Sequence, residues 1–177
     1  TYVERALKSG ASAAIVARSD EAMRAAGSLV VVDDTLKALE ALGRAARART
    51  QAKVVAVTGS VGKTGTKEAL RLILSEQGAT HASAASYNNM WGVPLSLARM
   101  PADTRFGIFE VGMNHPGEIT PLSRLVEPFA ALITTVEAVH MAFFDSVEQI
   151  ADAKGEIFDG LQTGGVAILN RDTPHFE

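Results

Sequence analysis

Residues 54–64 read Val54-Val55-Ala56-Val57-Thr58-Gly59-Ser60-Val61-Gly62-Lys63-Thr64, and this stretch decides the fold. Its small apolar residues predict a buried parallel strand, which a tight glycine loop joins to a helical pattern. A loop that leads from a strand into a helix presents unpaired backbone N–H groups and the positive end of the helix dipole. Both features attract phosphate. We therefore predict that this loop binds a nucleoside triphosphate.

The polar and glycine residues of the loop have distinct predicted roles. Gly59 and Gly62 let the backbone approach phosphate oxygens, Lys63 supplies a positive charge, and the Thr64 hydroxyl can ligate Mg²⁺. Val57 stands where the general P-loop pattern has its first glycine, so the motif is the shorter G-x-x-G-K-T. An exposed lysine-threonine pair at a helix start is the alternative, but the flanking strand and helix favour the phosphate site. The predicted nucleotide-binding residues are Gly59, Ser60, Val61, Gly62, Lys63, Thr64 and Gly65.

Composition excludes several classes of function. The chain has 177 residues, of which 47% are hydrophobic and 21% charged, as in an ordinary globular protein. Its net charge of −3 and its lack of a basic cluster argue against nucleic acid or an anionic membrane surface as a partner. No apolar run is long enough for a membrane span, so membrane insertion is not expected. The absence of cysteine excludes disulfides and thiolate metal sites.

Strands and helices alternate along the chain. Continuous apolar strands between helices predict an α/β fold with a mostly parallel sheet that helices flank. We place a partial, smaller α/β domain in residues 1–50 and the nucleotide-binding domain in residues 51–177. The first residue is not Met, and the chain stops in a loop after a strand, so we expect a fragment of a longer protein.

A helix that starts at Asp34 or Thr35 carries three arginines near its end. Arg44, Arg47 and Arg49 suit the negative end of a helix dipole. They could contact an anionic substrate, but the pattern favours a solvated face.

Two residues near strand ends are candidate metal ligands, because ligands of such sheets bind at the carboxyl ends of the strands. Glu110 ends an apolar strand, where a buried carboxylate is costly without a partner such as a metal ion. A strand-end glutamate in water is the alternative. His140 lies in a loop, and both metal ligation and simple solvation remain open for it.

Lys154 lies in the middle of an apolar stripe on a helix that we predict over residues 147–161, with Ser146 and Gln149 as a capping box. Such a lysine usually snorkels, with its stem on the core and its ammonium in water, and the residues alone favour this interpretation. A lysine with a lowered pKa can instead react with CO₂ to give an anionic carbamate that ligates a metal.

Four motifs occur in order along the chain. Residues 58–64 read TGSVGKT, 88–94 NNMWGVP, 110–119 EVGMNHPGEI and 153–158 AKGEIF. Together they resemble the Mur ligases, the ATP-dependent amide-forming enzymes of peptidoglycan precursor synthesis. The resemblance is greatest to the ligases that add D-alanyl-D-alanine to UDP-N-acetylmuramoyl-tripeptide. It implies that residues 1–50 end a UDP-substrate-binding first domain and that residues 51–177 are a truncated central ATP-binding domain.

The resemblance also implies a reaction. ATP phosphorylates the peptide carboxylate to an acyl phosphate, which the amine of D-alanyl-D-alanine attacks to form the amide. The implied cofactors are ATP and Mg²⁺, and the implied partners are the two small-molecule substrates. We expect a monomer in the cytoplasm.

The roles of individual residues follow from the resemblance by position. Lys63 neutralises phosphate charge, Thr64 and Glu110 hold one Mg²⁺, and His140 with carbamylated Lys154 holds a second. Lys63, His140 and Lys154 are thus the expected catalytic residues. The residues expected to line the substrate side are Asn88, Asn89, Asn114 and His115.

The chain also departs from the family. Ala142 stands where the family often has a glutamate, and the C-terminal domain that closes over ATP is missing, so we expect the chain alone to make no amide. One alternative is a related ligase of the folylpolyglutamate or cyanophycin synthetase type, against which the asparagine motifs argue. Another is a nucleotide-binding module without ligation, which would have no need of a metal ligand at Lys154.

Overall fold

Alternating strands and helices give an α/β fold, which confirms the predicted class. The computed structural model describes residues 2–139 and 141–175. The helices of this part are α1 (Tyr2–Lys8), α2 (Glu21–Ala26), α3 (Thr35–Ala48), α4 (Lys63–Ser75), α5 (Gly92–Ala98), α6 (Ile119–Val126), α7 (Val147–Gly155) and a 3-10 helix (Glu156–Gly160). The strands are β1 (Ala14–Val16), β2 (Leu29–Val31), β3 (Lys53–Thr58), β4 (Thr80–Ala82), β5 (Phe106–Glu110), β6 (Ala130–Ile133) and β7 (Val166–Leu169). Among these described residues, no helix is both long and apolar enough to cross a membrane.

The chain divides into two compact units between Ala41 and Leu42, inside α3. In the first unit, β1 and β2 pair in parallel. Asp20 begins α2 by accepting a hydrogen bond from the Met23 backbone N–H. The assignment of residues 1–50 to a substrate-binding domain and of residues 51–177 to an ATP-binding domain stays a prediction.

The second unit is built on a five-stranded sheet in the order β4-β5-β3-β6-β7, and all its strand pairs are parallel. The apolar run in β3 explains its central place, because Val54, Ala56 and Val57 are buried there. Val57 stands opposite Glu110 in the register of β3 with β5. The ends of these two strands therefore place the glycine loop and Glu110 at one edge of the sheet.

The core of this unit lies between the sheet and helices α5, α6 and α7. Its largest apolar contributions from α6 come from Ile119, Leu122, Leu125 and Val126, which share one face of that helix. The helix predicted over residues 147–161 is α-helical only to Gly155 and then tightens into a 3-10 turn. At this turn the Ser123 hydroxyl donates to the Ile157 carbonyl. A side chain at Gly160 would collide with the Ser123 backbone, so the close approach to α6 requires glycine.

The prediction of a solvated arginine face is wrong for Arg47. Arg47 is only 7% exposed, and its guanidinium donates to the Val126 carbonyl from Nε at 2.9 Å and to the Glu127 carbonyl from Nη2 at 3.1 Å. These carbonyls lie at the C-terminal end of α6, where backbone acceptors have no partner within the helix. Sequence spacing could not reveal this contact, because the partners lie about 80 positions later in the chain.

We expect Arg47→Leu to destabilise the fold by about 2 kcal/mol, because it removes the guanidinium that now donates hydrogen bonds to two backbone carbonyls and leaves these carbonyls without a partner. Urea unfolding followed by circular dichroism measures this change. Arg44→Leu is the matched control, since Arg44 is exposed on the same helix and the two residue types have similar helix propensity. Equal urea midpoints for the two variants would contradict the capping role of Arg47.

Candidate nucleotide and metal site

The glycine loop follows β3 and leads into α4, and its backbone needs glycine at two positions. Gly59 has a φ of 142° and Gly62 a φ of 89°, which are left-handed values that side chains disfavour. A Cβ at Gly59 would also lie 1.9 Å from Thr134 Oγ1. The loop therefore packs directly against the chain that leaves β6.

Residues after β6 hold the outer side of the loop. The Ser60 N–H donates to the Thr135 carbonyl at 2.9 Å, and the Val61 N–H donates to Thr135 Oγ1 at 3.1 Å. Ser60 Oγ also donates to the Glu137 carbonyl at 3.2 Å. The backbone donors of Ser60 and Val61 are thus engaged within the protein, while the first N–H groups of α4, at residues 63–65, lack partners within the helix.

Lys63 folds back over the loop. Its ammonium donates to the Gly59 carbonyl at 2.6 Å, and the side chain is half-buried. Burial lowers the pKa of Lys63, while the nearby Glu110 carboxylate opposes this shift. A cation on the loop itself is well placed for an incoming phosphate.

Glu110 is buried, so the alternative of a strand-end glutamate in water is wrong. It is 1% exposed, and both carboxylate oxygens have partners. Thr64 Oγ1 donates to Oε2 at 2.9 Å, and Asn88 Nδ2 donates to Oε1 at 2.8 Å. A hydroxyl and a carboxylate side by side next to the glycine loop are the oxygen ligands that Mg²⁺ prefers, so these residues fit the metal.

Gly112 allows Asn88 to lie against Glu110. The Gly112 N–H donates to the Asn88 carbonyl at 2.8 Å, and a Cβ at Gly112 would lie 2.9 Å from Asn88 Cγ. A side chain at position 112 would therefore push the amide away from the carboxylate.

We expect Gly112→Ala to weaken Mg²⁺-dependent nucleotide binding by about tenfold, because Asn88 would orient the predicted metal ligand Glu110 from outside the coordination sphere. Calorimetric titration with ADP and Mg²⁺ measures this loss. Gly155→Ala is the control, since a Cβ there meets open space. Equal affinities of the two variants would show that the Asn88 contact does not matter.

Lys154 is buried, so the snorkelling interpretation is wrong. It is 2% exposed and lines a cavity of about 180 Å³ together with Gly59, Lys63, Asn88 and other residues. In the part of the chain that the structure describes, its ammonium has no hydrogen-bond or ion-pair partner. Burial, and secondarily the positive charge of Lys63, lowers the pKa of Lys154 from 10.5 to about 8.

The predicted substrate residues lie in different surroundings. Asn89 and Asn114 line the same cavity. Asn89 Oδ1 also accepts the N–H groups of Trp91 and Gly92, at 3.1 Å and 2.9 Å, and so begins α5. His115 is not among the lining residues, and its ring packs against Phe143 with the two planes tilted by 54°, at a centroid distance of 4.4 Å.

The second predicted metal site remains a prediction. His140, its first ligand, lies outside the described residues. Within the described ranges 2–139 and 141–175, no three His, Cys, Asp or Glu side chains come together as a metal-binding group. The first predicted site, at Thr64 and Glu110, would use a hydroxyl and a single carboxylate, so a search for three such side chains does not test it.

Comparison with known proteins assigns the family. The family model of the Mur ligase middle domain matches residues 57–177. The chain belongs to the Mur ligase family.

Individual Mur ligases are similar over nearly the whole chain. The UDP-N-acetylmuramoyl-tripeptide–D-alanyl-D-alanine ligase of Rickettsia prowazekii is 40% identical over 96% of this chain and 37% of its own length. A crystal structure of MurF from Acinetobacter baumannii has a TM-score of 0.87 at 36% identity and covers 98% of this chain and 38% of that one. MurF from Thermotoga maritima, in complex with ADP, has a TM-score of 0.81 at 28% identity, with 97% and 39% covered. The chain thus spans less than two fifths of these Mur ligases.

Sequence reasoning missed two acidic residues, of which the first lines the cavity. Glu118 lines the cavity, accepts the Asn114 N–H at 2.7 Å and lies 3.0 Å from His115 Nδ1. Burial raises the pKa of the Glu118 carboxyl, but the hydrogen bonds from Asn114 and His115 outweigh it and hold the pKa below its usual value. Glu156 accepts the N–H groups of Gly117 and Thr120 at 2.6 Å and 3.0 Å. Both residues lie inside motifs quoted above, but the spacing of a motif does not reveal the hydrogen-bond partners of its residues.

Proposed function

We propose that this chain is the nucleotide-binding part of an ATP- and Mg²⁺-dependent Mur ligase that joins D-alanyl-D-alanine to UDP-N-acetylmuramoyl-tripeptide through an acyl phosphate. The observation that carries the proposal is the contact of Thr64 and Asn88 with buried Glu110 beside the glycine loop. The relatives named above support the choice of substrates, since the Rickettsia protein carries that activity in its name.

Lys63 is the proposed phosphate-binding cation. It donates to the Gly59 carbonyl, and it would exchange this acceptor for a phosphate oxygen. The N–H groups at the start of α4 and the dipole of that helix would hold the same phosphate. Because charge grows on the transferring group in the transition state, a fixed cation here lowers the barrier.

Thr64 and Glu110 are the proposed ligands of one Mg²⁺. When bound, this ion would neutralise phosphate charge at the reacting oxygens. The carboxylate is pre-positioned by Asn88, and the Thr64 hydroxyl already faces it at 2.9 Å. Binding therefore requires only a local exchange of hydrogen-bond partners.

Lys154 is the proposed carbamate. A lysine whose pKa is about 8 has a substantial neutral fraction near physiological pH. Its neutral nitrogen attacks CO₂, and the product loses a proton to become a carbamate anion. That anion would face Lys63 across the cavity, replacing a repulsion between two cations by an attraction, and with His140 would form the second metal site.

The remaining cavity residues form the proposed substrate side. Asn114 and Asn89 line the cavity next to Lys154, and amide groups can bind both the carbonyls and the N–H groups of a peptide. His115 is the least direct of the predicted substrate residues, because its ring packs on Phe143.

The test is a substrate panel on the full-length protein, with products identified by mass spectrometry. We expect an ATP- and Mg²⁺-dependent amide from UDP-N-acetylmuramoyl-tripeptide and D-alanyl-D-alanine. Addition of glutamate to a folate, or formation of a polymer from aspartate and arginine, would instead support a related synthetase. Nucleotide binding without any amide would support a nucleotide-binding module. Either of these results would overturn the proposal.

A further inference from the structure

A buried lysine on α4 has no role in the function proposed above. Lys67 is 1% exposed and is the one residue of α4 that is buried. The apolar residues of α4 are less buried, since Ala69 and Ile73 are exposed and Leu70 is only half-buried. A buried ammonium is costly unless every one of its N–H groups has a partner.

The Lys67 ammonium has three partners. It donates to the Ser83 carbonyl at 3.0 Å and to the Ala85 carbonyl at 2.9 Å, and it lies 3.1 Å from Glu68 Oε1. Two of the three are backbone atoms of the chain that leaves β4. The lysine therefore connects α4 to this neighbouring segment through hydrogen bonds.

The segment that Lys67 contacts has an unfavourable backbone conformation at one residue. Ala85 has a φ of 47°, a left-handed value that is unfavourable for a residue other than glycine. Such a conformation persists only where surrounding contacts enforce it, and Lys67 supplies one of them at the Ala85 carbonyl. Three positions later in the sequence stands Asn88, whose amide donates to Glu110.

Two short routes lead from Lys67 to Glu110. In one, the Ser83 carbonyl accepts from Lys67 while Ser83 Oγ accepts the Glu110 N–H at 3.2 Å. In the other, Lys67 fixes Ala85 and so the turn that presents Asn88 to the carboxylate. Lys67 also lies three positions after Thr64, on the same side of α4, so both proposed metal ligands are tied to one helix.

We propose that Lys67 is a positioning residue for the metal site, which it serves by holding residues 83–88 so that Glu110 and Thr64 keep the spacing that Mg²⁺ requires. The proposal rests on the proposed function, because it presumes that these two residues bind the metal. It assigns Lys67 no contact with nucleotide or substrate.

The experiment compares Lys67→Met with the wild type in the 177-residue chain, with ADP as the probe, in EDTA and in excess Mg²⁺. We expect Lys67→Met to lose about tenfold or more of the Mg²⁺-dependent gain in ADP affinity, while its affinity in EDTA changes by less than about threefold. A merely structural role would lower stability without changing this ratio. Circular dichroism establishes that each variant is folded.

Two further variants sharpen the test. Glu68→Gln is the matched control on the same helix, because it removes the ion pair but leaves both carbonyl contacts, and we expect it to keep the wild-type ratio. Lys67→Gln keeps a shorter, neutral donor, and we expect an intermediate ratio. If Lys67→Met does not fold, the ratio of Lys67→Gln decides the question.

Trp91 gives a second readout that does not depend on metal. It is the only tryptophan in the chain, and it is exposed at the end of the same loop. We expect acrylamide to quench Trp91 more strongly in Lys67→Met than in the wild type or Glu68→Gln.

The outcomes separate the two proposals. If the wild type gains nothing from Mg²⁺, the proposed metal site is wrong. If the wild type gains affinity and folded Lys67→Met keeps the same gain and the same quenching, the metal site stands and the positioning role of Lys67 is overturned.

Discussion

Lys63→Ala in the full-length protein is expected to lower the rate of ATP-dependent ligation by about 10²-fold or more, because it removes the cation that meets the growing charge on the transferring phosphate. The structure places this ammonium on the Gly59 carbonyl, inside the loop that would surround the phosphate. Because the contact strengthens in the transition state, the loss should appear mainly in kcat and less in the KM for ATP.

Steady-state kinetics with amide product as the readout measures this effect. Lys53→Ala is the control, since Lys53 is an exposed lysine at the opposite, amino end of β3. Near-normal ligation by Lys63→Ala, or an equal loss in both variants, would show that the glycine loop is not the phosphate site.

Lys154→Met is expected to act in opposite directions on activity and stability. In the full-length protein, ligation should fall by about 10²-fold, because the variant cannot form the anion proposed as a metal ligand. In the 177-residue chain without nucleotide, the same change should raise the free energy of unfolding at pH 7, because it removes a buried ammonium that faces Lys63. A residue with a purely structural role would lower both quantities.

The pH dependence fixes the sign of the stability effect. The pKa of Lys154 in the folded chain is about 8, below the ordinary value of 10.5, so the unfolded chain holds this proton more tightly. The residue therefore destabilises the fold fully below about pH 8, and the penalty fades as the pH rises from about 8 to 10.5. Urea unfolding of wild type and Lys154→Met across this range should converge at high pH. Parallel curves would contradict the burial of a charged Lys154.

The sheet was predictable because its signals are local in sequence. The apolar run of β3, the glycines after it and the alternation of strands and helices depend on neighbouring residues, and they gave the α/β class. The tightening after Gly155 was not predictable, because it follows from the close approach of Gly160 to Ser123 on another helix. A helix boundary that depends on a contact with another helix leaves no signal in the local sequence.

The site was predictable only in part. Thr64 and Glu110 follow from motif positions, and the structure brings them within hydrogen-bonding distance. Lys154 was harder to predict, because a lysine in an apolar stripe can be either snorkelling or buried. The structure distinguishes the two cases, since Lys154 is buried and lines the cavity. Lys67 gave no signal, since a lysine on a surface helix is usually solvated and its carbonyl partners carry no sequence signature.

The contacts between the glycine loop and the residues after β6 were not predictable either. Thr135 accepts the backbone N–H groups of Ser60 and Val61 and so holds the glycine loop in shape, while the N–H groups of residues 63–65 have no partner within α4. The G-x-x-G-K-T motif does not show this division, because the partner lies more than 70 positions away.

The most direct test of the account is a crystal structure of the chain with ADP and Mn²⁺, in which the anomalous signal of manganese locates the metal. The account predicts a manganese peak bound by Thr64 Oγ1 and a Glu110 carboxylate oxygen, with the ADP phosphates over the first N–H groups of α4 and Lys63 turned from Gly59 toward them. ADP phosphates bound away from this loop, or manganese bound elsewhere while Thr64 still donates to Glu110, would contradict it.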